Sequence, residues 1–262
     1  MISNKIKALI LDMDGVIWTD DHPIGDLPNL FIHIFNMGLK VAFATNNSSK
    51  TRQKYIERLK LFGVTQSEFH NVLTSSIAMA IELSERFPAK GNIFVIGEYG
   101  LKEEIKKSGF NVFDSSPSSD ILAVVAGIDR NINYEKLKIA TLLIREGIPF
   151  FGTNPDKTFP TPEGFVPGAG SILAAITSST GVDPFIVGKP SPKIINLARE
   201  LLGVNPTETL VVGDRIETDI ASGQADGCKT ALVLSGVSTL EDLKKWNPPP
   251  DYLADSLSAL LD

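Results

Sequence analysis

Two carboxylates stand one residue apart near the start of the chain, in the stretch LILDMDGVIW. Asp12 and Asp14 come at the end of an apolar run, and a glycine follows them directly. Two like charges this close repel each other. A DxDG pattern occurs in calcium-binding loops, where carboxylates ligate the ion, and also in plain turns. The acid pair alone therefore does not decide between a site and a turn.

Three further polar clusters also follow apolar runs of strand type. They are Thr45-Asn46-Asn47 after KVAFA, Lys189-Pro190 after PFIVG, and Asp214 to Asp219 after TLVVG. Each cluster alone has a structural explanation, since Thr-Asn is a common helix cap and a Gly-Lys-Pro sequence a common strand exit. Ligands of parallel sheets bind outside the carboxyl ends of the strands. If the strands are neighbours, the four clusters meet in one crevice, and their joint occurrence favours a functional site.

Short apolar runs alternate with helix-length segments along the whole chain. LPNLFIHIFNMG places Leu27, Leu30, Phe31, Ile34 and Phe35 on one helical face, with Gly38 as a stop. A second helix is predicted from about Ser49 to Phe62, ended by Gly63. The runs of strand type are KALIL, KVAFA, NVLTS, NIFVIG, DILAVVAG, PFFG, PFIVG and TLVVG. This order predicts an α/β protein with a parallel sheet covered by helices on both faces.

Composition excludes several classes of function. The chain has 262 residues, 43% of them hydrophobic, and a formal net charge of -6 without a basic cluster, so nucleic acid is not an expected partner. Cys228 is the single cysteine, which excludes an intramolecular disulfide and predicts a free, buried thiol. No apolar stretch approaches the roughly 20 residues of a membrane helix. We therefore expect a cytoplasmic protein without a membrane partner.

The motifs DMDG, TNN, GKP and GDRIETD, in this order, resemble those of the haloacid dehalogenase superfamily, specifically its phosphatases. The motifs and the elements around them account for somewhat more than half of the chain. Many members have Thr directly after DxDG, where this chain has Val16, so the contact of that hydroxyl is absent. The resemblance implies a Rossmann-like core and a phosphoryl-transfer reaction.

The same resemblance implies roles for the paired acids. Asp12 would attack phosphorus to form an aspartyl-phosphate, and Asp14 would protonate the leaving group and then activate water. These two tasks need opposite protonation states, and a metal cation with Lys189 would keep Asp12 ionised. Mg²⁺ would be held by the Asp12 carboxylate, the Asp14 backbone carbonyl and Asp214. The implied catalytic set is therefore Asp12, Asp14 and Lys189, with Mg²⁺ as the cofactor.

Further residues are assigned around this set by the resemblance. Thr45, Asn46 and Lys189 would bind the phosphate oxygens. Asp219 would orient a metal-bound water or Lys189, although a helix N-terminal acid explains it equally well. Asn47 would hold the Asp14 loop, or serve only in a turn.

Spacing between the motifs predicts an inserted domain. The interval from Asp14 to Thr45 has room for one helix and one strand, whereas the interval from Thr45 to Lys189 is far longer than the sheet requires. We predict a core at 1–80 and 179–262, and a cap domain of about 100 residues at 81–178. This arrangement resembles the large α/β cap of the 4-nitrophenylphosphatase, or NagD-like, branch.

The Pro- and Gly-rich stretch GTNPDKTFPTPEGFVPGAG is the most distinctive part of the predicted cap. In the resembled branch a loop at this place contacts the leaving group, which makes Asn154, Asp156 and Phe159 candidates for substrate selection. A loop that only joins the cap to the next helix is an alternative. Trp18, four residues after Asp14, would either line the pocket or pack under the loop.

We therefore predict a Mg²⁺-dependent phosphomonoesterase that hydrolyses small phosphorylated metabolites, with p-nitrophenyl phosphate as an artificial substrate. One alternative is a phosphotransferase that uses the same intermediate with an acceptor other than water. The other is a non-catalytic module that binds another protein through the cap. The expected partner is a small metabolite, and a homodimer is possible.

Overall fold

A computed structural model describes residues 2–116, 120–161 and 163–261. The chain divides into two compact units. The first, called the core unit below, comprises Met1–Thr45, Arg52–Leu73 and Lys189–Asp262. The second, called the inserted unit, comprises Asn46–Thr51 and Thr74–Gly188. The insertion predicted at 81–178 lies within the inserted unit.

The strands among the described residues are numbered along the chain. They are β1 Ala8–Leu11, β2 Trp18–Thr19, β3 His22–Pro23, β4 Lys40–Thr45, β5 Val72–Thr74, β6 Asn92–Ile96, β7 Asn111–Phe113, β8 Ile121–Ala126, β9 Phe150–Gly152, β10 Thr158–Thr161, β11 Gly164–Pro167, β12 Phe185–Ile186, β13 Thr209–Gly213, β14 Lys229–Val233 and β15 Tyr252–Ala254.

The helices are numbered in the same way. They are α1 Leu27–Asn36, α2 Arg52–Leu61, α3 Ser75–Arg86, α4 Tyr99–Lys107, α5 Tyr134–Arg145, α6 Ala169–Thr180, α7 Lys193–Leu202, α8 Ala221–Ala225, α9 Leu240–Lys244 and α10 Leu257–Leu261. A π-helical turn, Ile216–Ile220, precedes α8.

The core unit is built on a six-stranded sheet with the order β15-β14-β13-β1-β4-β5. Strand β1 pairs in parallel with β13 on one side and with β4 on the other. All four residues of β1 are buried, as expected for a central strand with apolar packing on both faces. The carboxyl ends of β1, β4 and β13 therefore lie side by side, which brings Asp12, Thr45 and Asp214 to one edge of the sheet.

Helix α1 follows its sequence pattern closely. The Asp26 carboxylate caps it by accepting a hydrogen bond from the Asn29 backbone N–H at 3.2 Å. Its buried positions are Leu27, Leu30, Phe31 and Ile34. Phe35, predicted on the same face, is 56% exposed, because at 100° per residue it lies at the edge of the stripe formed by the four buried positions, in the last turn of the helix.

The inserted unit has its own parallel sheet with the order β12-β9-β8-β6-β7. A second apolar core packs against this sheet, with Phe94, Val124 and Ile176 among its buried side chains. An antiparallel hairpin, β10-β11, carries part of the Pro- and Gly-rich stretch. The predicted α/β class, with a Rossmann-like core and an inserted α/β domain, is confirmed.

The strand before Lys189 differs from the expectation that all four motif strands are neighbours. Strand β12 pairs with β9 in the sheet of the inserted unit, and so it is not a neighbour of β1 or β13. The Phe185 ring packs edge-on against Phe151 of β9, with centroids 5.9 Å apart, which favours this pairing. Lys189 nevertheless begins the last segment of the core unit.

The helices of the described residues are too short or too polar to span a membrane. The thiol of Cys228 is free and buried, as predicted.

Candidate active site

Asp12 stands directly beyond β1, where its backbone N–H still donates to the Val212 carbonyl at 2.9 Å. This hydrogen bond extends the β1–β13 ladder by one residue and fixes the direction of the Asp12 side chain. The carboxylate is 12% exposed, and its Oδ1 accepts a hydrogen bond from Lys189 Nζ at 2.5 Å. A partly accessible carboxylate is thus held rigidly against a cation at the edge of the sheet.

Lys189 is the central cation of the site. Its Nζ lies 2.5 Å from Asp12 Oδ1 and 2.6 Å from Asp219 Oδ1, and it donates to the Ala44 carbonyl at 2.7 Å. Burial disfavours the charged form, but the two carboxylates outweigh that penalty and raise the pKa of Lys189 above its ordinary value. Lys189 therefore stays protonated and keeps a positive charge beside Asp12.

Asp12, Asp214 and Asp219 form a carboxylate cluster in which one oxygen of each lies within 4.8 Å of the others. Burial raises the pKa of Asp12 well above its usual range, the Lys189 charge lowers it, and the charges of Asp219 and Asp214 raise it again. Burial, followed by the charge of Asp219, raises the pKa of Asp214 to about 7. One lysine thus does not compensate three carboxylates, and a hard divalent cation fits this set of oxygen ligands.

A loop after β14 holds Asp214, and the sequence analysis did not identify it. The Val237 N–H donates to Asp214 Oδ2 at 2.7 Å, and the Ser238 N–H donates to the Asp214 carbonyl at 3.0 Å. A Cβ atom at Gly236 would overlap this carboxylate, and one at Gly15, whose φ is +86°, would lie 2.5 Å from it. The sequence LSGVST directly after an apolar strand could have indicated this loop. Strand β14 is the parallel neighbour of β13, so the residues that follow β14 lie beside those that follow β13.

Asp219 lies in the π-helical turn after β13. Its Oδ2 accepts a hydrogen bond from the Arg215 N–H at 3.0 Å, while its Oδ1 contacts Lys189. A Cβ atom at Gly213 would overlap the Asp219 side chain, so a glycine is needed at this close approach. The geometry therefore holds Asp219 against Lys189, one of the two placements considered from the sequence, and also brings it into the carboxylate cluster.

Asp14 differs from Asp12 in its surroundings. Asp14 is exposed, and its Oδ1 accepts a hydrogen bond from the Trp18 indole Nε1–H at 2.9 Å. Trp18 is fully buried, so of the two placements considered for it, packing under the loop is the one observed. Tyr55 stacks on the indole, and burial followed by the negative charges of Asp14 and Asp12 raises the pKa of Tyr55 well above its usual value.

The TNN motif is divided between the two units. Thr45 ends β4 in the core unit and is 2% exposed. In the inserted unit, the Asn46 side-chain amide donates to Asp156 Oδ2 at 3.2 Å, and its backbone carbonyl accepts from Ser75 Oγ at 2.6 Å. The Asn47 Oδ1 accepts from the backbone N–H of Ser49 at 3.0 Å, which is turn chemistry.

The three candidates for substrate selection lie in different surroundings within the inserted unit. Asn154 is 4% exposed, and its amide donates to the Asn46 carbonyl at 2.8 Å. Asp156 accepts from the Asn46 amide. Phe159 is half-buried and lies under the Arg130 guanidinium, whose carbon is 5.4 Å from the ring centroid. Asn154 and Asp156 thus fix the segment after β4, whereas Phe159 packs with a cation.

The raised pKa of Asp214 should make the stability of the protein depend on pH. Without divalent cations, we expect the melting temperature to rise as the pH falls from about 8 to 6, because folded Asp214, with a pKa of about 7, binds a proton that the unfolded chain, at 3.8, does not hold. Mg²⁺ competes with this proton and should raise the melting temperature more at pH 8 than at pH 6. Thermal unfolding in EDTA and in Mg²⁺ measures both effects.

The Asp214→Asn variant is the control for this experiment, since it should show a weaker dependence on both pH and Mg²⁺. A metal-free wild-type protein that loses stability on acidification over this range would contradict the assignment of a raised pKa to Asp214.

Comparisons with known proteins show which family the chain is similar to. The model of the haloacid dehalogenase-like hydrolase family matches residues 9–111, and a related model, described as HAD-hydrolase-like, matches residues 186–260. The acid sugar phosphatase of Staphylococcus aureus strain MRSA252 is 39% identical over 249 residues, which cover 95% of this chain and 94% of the relative. The similarity therefore extends over nearly the whole length of both proteins.

Solved structures show the same relationship. The 4-nitrophenylphosphatase from Thermotoga maritima superposes with a TM-score of 0.90 at 36% identity and covers 98% of this chain and 97% of its own. The glycerol phosphate phosphatase from Mycobacterium tuberculosis, solved in complex with magnesium, has a TM-score of 0.90 at 29% identity, over 100% of this chain and 79% of its own. The chain therefore belongs to the haloacid dehalogenase-like hydrolase family and is a phosphatase of its 4-nitrophenylphosphatase, or NagD-like, branch.

Proposed function

We propose that the chain is a Mg²⁺-dependent phosphomonoesterase that hydrolyses small phosphorylated metabolites through an aspartyl-phosphate at Asp12. The observation that carries the proposal is the position of Lys189 Nζ, 2.5 Å from Asp12 and 2.6 Å from Asp219 at the edge of the core sheet. The charge of Lys189 lowers the pKa of Asp12 and orients its carboxylate, as a nucleophile requires, and it adds positive charge near the phosphate oxygens.

The reaction proceeds in two displacements at phosphorus. In the first, the Asp12 carboxylate forms a bond to phosphorus while the bond to the leaving oxygen breaks, and Asp14 gives its proton to that oxygen. In the second, Asp14 takes a proton from water, the water oxygen attacks phosphorus, and the bond to Asp12 breaks. Inorganic phosphate leaves, and both aspartates return to their initial states.

Mg²⁺ fits the donor set of the core unit. The residues proposed to hold it are Asp12 and Asp214 through their carboxylates and Asp14 through its backbone carbonyl, which supply hard oxygen ligands. When bound, the cation would offset the repulsion between the carboxylates and the substrate phosphate. Asp219 is proposed to orient Lys189, because the two side chains are 2.6 Å apart.

Phosphate binding is proposed for Lys189 and for Thr45, which lie at the carboxyl end of the core sheet. Asn46 follows Thr45 directly on the chain and is proposed for the same role. Its amide is shared with Asp156 in the inserted unit, so Asp156 would orient the amide that Asn46 presents. Asn154 would contribute as well, because its amide fixes the Asn46 backbone carbonyl.

Sugar phosphates and glycerol phosphate are the first candidates for the substrate, because proteins with these activities in their names are similar to this chain over nearly its whole length. The test is phosphate release from p-nitrophenyl phosphate and from a panel of sugar, polyol, nucleotide and pyridoxal phosphates in Mg²⁺. Turnover of p-nitrophenyl phosphate together with at least one metabolite supports the proposal. A protein that hydrolyses no phosphomonoester would contradict it.

Loss of the central cation should be costly. We expect Lys189→Ala to lower kcat with p-nitrophenyl phosphate by about 10²–10³-fold, because one preorganised charge at the reacting centre is removed. Lys229→Ala is the matched control, since it removes an exposed lysine paired with Asp251 at 2.6 Å in the same unit and should leave kcat unchanged. A loss below about tenfold for Lys189→Ala would remove this side chain from the mechanism.

A further inference from the structure

The turn between Asp14 and Trp18 is closed by backbone and side-chain hydrogen bonds. The Gly15 N–H donates to the Trp18 carbonyl at 2.7 Å, and the Trp18 N–H donates to the Met13 carbonyl at 3.2 Å. The indole Nε1–H reaches back to Asp14 Oδ1 at 2.9 Å. Within the described part of the chain, this is the single hydrogen bond that the Asp14 carboxyl makes, so the orientation of an exposed carboxyl depends on one buried ring.

The indole itself is held on several sides. Trp18 is 0% exposed, and its ring is stacked on Tyr55 at 6.4 Å and tilted against Phe62 at 5.9 Å. The Arg58 guanidinium carbon lies 4.4 Å from the centroid of the indole. A cation over the ring withdraws electron density from it, which makes the N–H a stronger donor. The donor to Asp14 is therefore fixed in place before any substrate binds.

The chemistry of the donor determines what it does for Asp14. An indole N–H donates and cannot accept a hydrogen bond. Because Oδ1 accepts from the ring, the proton of a neutral Asp14 carboxyl is carried by Oδ2. The hydrogen bond thus distinguishes two oxygens that would otherwise be equivalent, and it also restricts rotation of an exposed side chain.

We propose that Trp18 is a positioning residue that aims Asp14 Oδ2 at the leaving oxygen of the substrate. The inference rests on the proposed function, in which the proton of Asp14 goes to the leaving oxygen as its bond to phosphorus breaks. A carboxyl held in one orientation gives up that proton without first reorienting, whereas a freely rotating one does so only in a fraction of encounters.

Leaving groups of different basicity provide the test. A p-nitrophenolate departs without a proton, but the more basic phenolate needs one, so the role of Trp18 should be seen mainly with phenyl phosphate. We expect Trp18→Phe to lower kcat/KM by about tenfold or more for phenyl phosphate and by less than about threefold for p-nitrophenyl phosphate. The value of kcat/KM reports the first displacement and therefore excludes the second use of Asp14.

The ratio of the two kcat/KM values is the decisive readout. Both values come from one preparation, so the ratio does not depend on the fraction of folded enzyme, and a structural role of Trp18 would leave it unchanged. Trp246→Phe is the matched control, because it removes an indole N–H that donates to Gln224 at 3.2 Å in the same unit. This control should retain the wild-type ratio.

An equal loss for both substrates, or no loss for either, would overturn the proposal. If Trp18→Phe does not fold, Trp18→Met offers a flexible side chain that can adapt to the buried site without an N–H, and it is expected to change the ratio in the same direction. A wild-type protein without activity on either ester would contradict the proposed function and the role of Trp18 with it, whereas an unchanged ratio in an active variant contradicts only the role of Trp18.

Discussion

The Asp12→Asn variant is expected to lose turnover almost completely and to keep its fold. The amide has the shape of the carboxylate but lacks its charge and nucleophilicity, so the loss in kcat should exceed about 10⁴-fold, as for removal of other catalytic nucleophiles. Folding should be unaffected or improved, because burial, together with the charges of Asp219 and Asp214, opposes ionisation of Asp12 more than Lys189 favours it. Phosphate release from p-nitrophenyl phosphate and thermal unfolding measure the two effects.

Asp255→Asn is the control for this variant. It makes the same chemical change at an exposed position of the same unit, and it should leave both activity and unfolding unchanged. Near wild-type phosphate release by Asp12→Asn, together with an unchanged melting temperature, would show that another group performs the attack.

Removal of divalent metal is expected to abolish activity. The site brings together the carboxyl groups of Asp12, Asp214 and Asp219, and Lys189 is the cation in contact with two of them. A substrate phosphate adds about two more negative charges near neutral pH. The cluster would repel its own substrate without a cation, so EDTA should stop hydrolysis of p-nitrophenyl phosphate and Mg²⁺ should restore it.

Calcium is expected to bind and to support little turnover. Its larger coordination shell lets a carboxylate chelate through both oxygens, which would misalign Asp12 for in-line attack. Asp214→Ala should weaken Mg²⁺ binding more than it weakens folding. The Mg²⁺ concentration needed for half-maximal activity should therefore rise by a larger factor than the equilibrium constant of unfolding. Full activity after exhaustive chelation, or equal rates with Ca²⁺ and Mg²⁺, would contradict the proposed role of these acids.

Much of the core site could be predicted because the ends of buried strands can be recognised in the sequence. Asp12, Thr45 and Asp214 each follow an apolar run, and parallel pairing of β1 with β4 and β13 places their carboxyl ends together. Lys189 was also predicted at the site, but for a partly wrong reason. The strand before it belongs to the other sheet, and its position beside Asp12 follows from the path of the chain after β12.

The residues that hold the site residues in place could not be recognised from the sequence in the same way. From the sequence, Trp18 is explained equally well as a core residue or as a residue that lines the pocket. Its hydrogen bond to Asp14 depends on a turn geometry that the four-residue spacing between them does not specify. The Val237 N–H binds Asp214 and Gly236 leaves room for its carboxylate, in a loop that carries no titratable group. Asn154 and Asp156 meet Asn46 across more than a hundred residues of sequence, and such long-range pairs have no local pattern.

The stereochemistry of the reaction at phosphorus tests the central claim most directly, because it does not require an intermediate to accumulate. The substrate is a p-nitrophenyl phosphorothioate made chiral with an oxygen isotope and hydrolysed in water labelled with another, so that the thiophosphate released is chiral. Each in-line displacement inverts phosphorus, and attack by Asp12 followed by attack by water gives two of them. We therefore expect net retention of configuration, and net inversion would show that water attacks the substrate directly and that no aspartyl-phosphate forms.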